Sequence, residues 1–149
     1  SAIRAALAVT VDGEPLFRTV QATYNLLETS AGPALAEAHD AGLTVIVKEG
    51  VANGRLAAAP HAPAAPHAPA ALREAAERTG YGCDAVALAA VLREPWSGVV
   101  LSGAATSAQL VSNLHAAAVD LDADTAERLK GLAEEPGEYW ARRAELPWH

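Results

Sequence analysis

Residues 99–113, VVLSGAATSAQLVSN, combine the residue types and spacing best suited to chemistry in this chain. Three β-prone residues, Val99, Val100 and Leu101, lead into four small ones, Ser102, Gly103, Ala104 and Ala105. Thr106 follows with Gln109 three positions on, the spacing of a capping box that opens a helix. Leu110 and Leu114, at i and i+4, are the expected inner face of that helix. A bare-backbone turn at a helix N-terminus leaves N–H groups unpaired and adds the helix dipole, so it suits a phosphate. The same strand, turn and capped helix are also ordinary α/β architecture, and both readings stand.

Other candidates carry less. His61 and His67 fall in a near repeat, AAAPHAPAAPHAPA over residues 57–70, where proline density blocks helix and sheet. No Cys or carboxylate lies among them, so they read as part of a low-complexity loop and no metal site is expected. His39 and His115 fall on expected helices as surface or boundary residues, and Tyr24 reads as a packing residue with a hydrogen-bonded hydroxyl.

The elements that must position these residues alternate between helix and strand. Residues 2–9 read as the end of a helix, Asp12-Gly13 as a turn and residues 17–23 as a strand. A helix opens at Ala31-Gly32-Pro33 and runs to about Ala41, with Gly42 just past its end. Residues 43–48, LTVIVK, form a β-branched run expected to be covered on both faces, and residues 49–56 a loop with a surface turn at Asn53-Gly54. Helix returns at residues 71–78, breaks at Gly80-Tyr81-Gly82, resumes from Asp84 as N-cap to Leu92, and stops at Pro95. A last helix is expected from Asp120 or Asp122 to about Ala133, before a tail carrying Tyr139, Trp140 and Trp148. Three strands alternating with helices imply a parallel sheet with right-handed crossovers, an α/β fold. No G-x-G-x-x-G follows the first strand, which weighs against a Rossmann domain.

Composition narrows the function class. With 51 % hydrophobic and 19 % charged residues in 149, the chain fits one globular domain. A formal charge of −7 argues against nucleic acid or an anionic membrane as the main partner. No run has the length of a membrane span, no signal sequence is visible, and the single Cys83 fits a reducing compartment, so a cytoplasmic protein is expected.

Taken in order, residues 20–28 (VQATYNLLE), 42–56 (GLTVIVKEGVANGRL), 84–92 (DAVALAAVL), 99–113 and the closing YWARRAELPW resemble the C-terminal portion of the aldo-keto reductases, which are (β/α)8 TIM barrels. The resemblance covers essentially residues 1–149, read as one incomplete domain holding about the last three strand–helix units, a C-terminal helix and the tail. It implies that Gln21 holds a nicotinamide carboxamide and that Gly50, Val51, Ala52, Asn53 and Gly54 pass a pyrophosphate. It places Gly103, Ala104, Ala105 and Thr106 at a 2′-phosphate, with Gln109 and Asn113 at the adenosine end. The capping role of Gln109 is a complete alternative that is compatible with this one. Lys48 stands where many members stack an aromatic ring on the nicotinamide; it cannot stack in that way, but its charge suits phosphate or a pair with Glu49. Ser112 stands where a Glu is common, and Gln109 where an Arg is common, so NADP(H) is implied and NAD(H) is also open.

The Asp, Tyr, Lys and His that the resemblance implies for catalysis match no residue here, and Tyr24, Tyr81 and Tyr139 correspond to none of them. No catalytic residue is therefore assigned. The expected function is the cofactor-binding segment of a reductase of small aldehydes or ketones, inactive alone. The alternative is a non-catalytic nucleotide-binding module or an oligomeric interaction module. Three parallel strands leave open sheet edges, so truncation from a longer reductase is expected, with cover by a partner as the other solution.

Overall fold

β-Branched residues supply the sheet and alanine-rich runs the helices that cover it. The computed structural model describes residues 1–57 and 68–146, so His61, His67 and Trp148 lie outside the described residues. Helix α1 (Ala2–Leu7) leads into a hairpin of β1 (Thr10–Val11) and β2 (Glu14–Pro15). Asp12 and Gly13 both have positive φ, 51° and 84°, which is the two-residue turn that fits hairpin twist. The sequence marked that turn, but strands of two residues are too short to show alternation.

The main sheet has three parallel strands in the order β3 (Thr19–Thr23), β4 (Thr44–Lys48), β5 (Val99–Val100). Helix α2 (Gly32–Asp40) joins the first two strands, and Gly42 follows its end in the left-handed region. Val45 and Val47 of β4 pack with Leu35 of α2, Val91 and Trp96. The expectation that β4 is covered on both faces is wrong. Thr44 and Lys48 on its other face are exposed and Ile46 is only partly buried, as no second layer lies there among the described residues. Val99 and Leu101 continue that open face.

Helices α3 (Ala70–Thr79) and α4 (Cys83–Leu92) lie between β4 and β5. A run as apolar as α4 must be buried all round, and seven of its residues are. Its N-cap is Gly82, not Asp84; Asp84 is the second residue of the helix, where its carboxylate still meets the helix dipole. After β5 come α5 (Ser107–Leu114), α6 (Ala123–Lys130, capped by Asp122) and α7 (Pro136–Ala144). The expected tail is thus largely helical, and α6 is not the last helix.

The expected inner face of α5 is also overturned. Leu110 and Leu114 are 45 % and 66 % exposed, whereas Asn113 is 7 % exposed. The helix turns polar Asn113 inward because its amide donates to the Ser102 carbonyl at 2.9 Å. Among the described residues no helix is long and apolar enough to cross a membrane, and no group of three or more His, Cys, Asp or Glu could hold a metal ion.

Candidate functional site

The C-terminal ends of β4 and β5 open into two segments of irregular backbone that face each other. The first begins at Gly50, where a Cβ would lie 2.7 Å from Leu88 Cδ2 and 3.4 Å from Val100 Cγ1, so a larger residue there would have to displace the Leu88 side chain of α4. Beyond it Ala52, Asn53 and Gly54 all have positive φ, as does Glu49 just before, at 59°. Non-glycine residues in that region store strain that the surroundings must hold. Glu49 is the anchor. Arg143 of α7 grips its carboxylate with Nη2 at 2.9 Å, and Asn53 Nδ2 donates to it at 3.0 Å. Burial pushes the Glu49 carboxyl up, but the hydrogen bonds from Arg143 and Asn53 outweigh it and hold the group below the usual carboxylate range. The sequence offered Lys48 as the partner of Glu49. The structure gives that role to Arg143, and Lys48 makes no ion pair among the described residues.

The second segment is the turn at residues 102–106. Gly103 takes φ 64°, and Thr106 caps α5 by accepting from the Gln109 amide at 3.2 Å. The capping box is complete: Gln109 Oε1 accepts from the Thr106 amide at 3.2 Å and from Ala105 at 2.8 Å. Ser102 Oγ accepts from the Ala104 amide at 3.2 Å.

Between the two segments lies a cleft of about 560 Å³. It brings together Lys48, Gly50, Val51, Asn53, Gly54, Gly103, Ala104, Gln109 and Asn113 of the residues singled out in the sequence. Ala105 and Thr106 stand in the adjoining turn without lining it, and buried Ala52 lines a neighbouring pocket beside Tyr139. Gln21 is apart from the cleft, exposed on the open sheet face beside Ile46 in register. Glu49, Ala57, Leu101, Ser102 and Asp84 also line the cleft. Ser102 was within reach of the sequence, being inside the singled-out turn. Asp84 was not, since it arrives from the start of α4 and nothing in its spacing ties it to residues 48 or 103.

Support comes from the strand exit after β3. Asn25 donates to the Glu49 carbonyl and to the Tyr139 hydroxyl, both at 3.0 Å, and accepts from the Leu27 and Glu28 amides. Burial raises the Tyr139 hydroxyl above the ordinary tyrosine range, with the hydrogen bond from Asn25 opposing it. Tyr24 is engaged elsewhere, its hydroxyl 3.0 Å from Glu94 and its ring edge-on to Trp96.

An open parallel sheet, helices on its covered face and a cleft at the strand C-termini describe part of a (β/α)8 barrel. The family model described as "Aldo/keto reductase family" matches residues 3–134. The chain belongs to the aldo/keto reductase family. No curated protein sequence matches it. Among solved structures, the aldo-keto reductase AKR11C1 from Bacillus halodurans, in its apo form, aligns with a TM-score of 0.64 at 19 % identity, over 89 % of this chain and 47 % of that one. Its holo form gives 0.63 at 18 % identity, over 89 % and 46 %. A structure provisionally named 2,5-diketo-D-gluconic acid reductase B gives 0.69 at 23 % identity, over 91 % of this chain and 43 % of that one. The chain therefore spans less than half the length of these barrels.

Proposed function

We propose that this chain is the cofactor-binding C-terminal segment of an NAD(P)H-dependent oxidoreductase that reduces aldehydes or ketones to alcohols, residues 1–149 forming part of one barrel domain. One observation carries the reading: a single cleft gathers the loop at residues 50–54, the turn at residues 103–104, Lys48, Gln109 and Asn113. Its donor set fits a dinucleotide. Lys48 supplies the one positive charge among the lining residues, and the 50–54 loop brings its backbone along the same wall. Gln21, on the face that Lys48 shares, would hold the nicotinamide amide. A bound nicotinamide dinucleotide supplies the hydride; this chain's residues bind and orient it. The Tyr24 hydroxyl is engaged by Glu94 and the Tyr139 hydroxyl accepts from Asn25, and the proton donor is assigned to no residue of this chain.

Titration of the purified chain with NADH and NADPH, followed by nicotinamide fluorescence, tests this. Saturable binding without carbonyl-dependent oxidation is expected. Absence of binding by either nucleotide would overturn the reading, and robust turnover would overturn the assignment of the proton donor to another segment. The exposed sheet face favours a second reading, an oligomeric interaction module, which a compact monomer in sedimentation would exclude.

A further inference from the structure

We infer that Arg143 is a positioning residue for the cleft: helix α7 clamps the loop at residues 49–54, so that docking of α7 and binding of an anionic ligand are coupled. The inference rests on the cofactor-binding reading above and goes beyond it. Local preference does not hold this loop in shape, because Glu49, Ala52 and Asn53 take positive φ without being glycine. Adjacent arginines of α7 hold its two ends instead. Arg143 meets the Glu49 carboxylate at the start, through Nε at 3.2 Å and Nη2 at 2.9 Å. Arg142 donates to Glu134 at 2.8 Å, and Glu134 also accepts from Arg55, the residue just past the loop, at 3.1 Å. Asn25 adds a third tie, donating to the Glu49 carbonyl and to Tyr139 of the same helix. The Glu49 and Arg143 side chains are only 14 % and 16 % exposed, so removing either partner strands a poorly hydrated charge. Arg143 does not line the cleft, whereas Glu49, Gly50, Val51, Asn53 and Gly54 do. In this conformation the amides of Gly50, Val51 and Asn53 donate to no group among the described residues, which leaves them for an anion. A ligand that uses them binds the clamped loop better than a relaxed one, and by linkage it steadies α7.

Binding of NADH and NADPH to the unaltered chain, to Arg143→Met, to Glu49→Gln and to the double variant, followed by nicotinamide fluorescence, tests this. If charge alone mattered, losing the Arg143 cation would weaken binding and losing the Glu49 anion would tighten it. The clamp gives both substitutions the same sign. Each should weaken binding by about tenfold, and the double variant should be no weaker than either. Arg143→Lys keeps the charge without the paired geometry and should recover only part of the loss. In the unaltered chain a bound nucleotide should slow amide exchange in residues 136–144, none of which lines the cleft, by about tenfold. Without nucleotide, Arg143→Met should speed exchange of the hydrogen-bonded Ala52 and Gly54 amides. Opposite signs for the two single variants would overturn the inference. So would nucleotide binding that leaves exchange in α7 unchanged, or loop exchange that Arg143→Met does not move. Loop exchange that responds in a chain binding neither nucleotide would keep the clamp and overturn the cofactor-binding reading instead.

Discussion

Asn25 has no exposed surface and satisfies two amides, a carbonyl and a phenol at once. Asn25→Ala leaves those groups without their partner and is expected to cost about 3 kcal/mol in urea unfolding. Glu28 is buried as well, but only one of its oxygens is served, accepting from the Ser30 amide at 2.8 Å, while the other has no partner among the described residues. Neither role was legible in the sequence. Asn25 meets Tyr139 across 114 positions and Glu49 across 24, and spacing along one element cannot reveal such pairs. The Thr106–Gln109 capping box was legible because all of its atoms lie within one turn of helix. Thr106→Ala should cost about 1 kcal/mol by the same measurement.

At the scale of elements, the amphipathic pattern of α5 pointed the wrong way. Leu110 and Leu114 have apolar spacing, yet the face that packs inward carries Asn113, whose polar side chain finds a carbonyl there. The pair Leu110→Gln and Leu114→Gln should therefore change stability by less than about 0.5 kcal/mol each, whereas Asn113→Ala should cost about 1–3 kcal/mol. Helix α7 docks by charge as well as by Tyr139. Arg143 holds Glu49, and Glu134 accepts from Arg55 at 3.1 Å and from Arg142 at 2.8 Å. Hydrogen bonding from Arg55 holds the Glu134 carboxyl below its ordinary range, as Arg143 and Asn53 do for Glu49 against the opposing effect of burial. Both carboxyls titrate lower in the folded chain than in the unfolded one. Their contribution is thus full above the unfolded value of about 4.3 and is lost as pH falls through the lowered folded values. Amide exchange in α7 should accelerate over that acid range, and Arg143→Met should weaken the dependence.

At the scale of the whole molecule, the two faces of the sheet behave differently. Val47 lies on the covered face and Ile46 on the open one, adjacent in sequence and opposite in environment. Val47→Thr should lower stability by about 1–3 kcal/mol, but Ile46→Thr by less than about 1 kcal/mol, as thermal unfolding would show. Membership of the barrel family was legible because several stretches recur in the right order, not because any one is specific. The open face was not, since a continuous β-branched run looks the same whether one face or two are covered. The bond from Asn25 to Tyr139 has a further consequence, in time rather than in energy. As the chain leaves the ribosome, residue 25 emerges long before residue 139, and contacts so distant in sequence form late. The exit of β3 and Glu49, where the cleft's loop begins, must wait for α7, so the start of that loop is set by a helix made well after it.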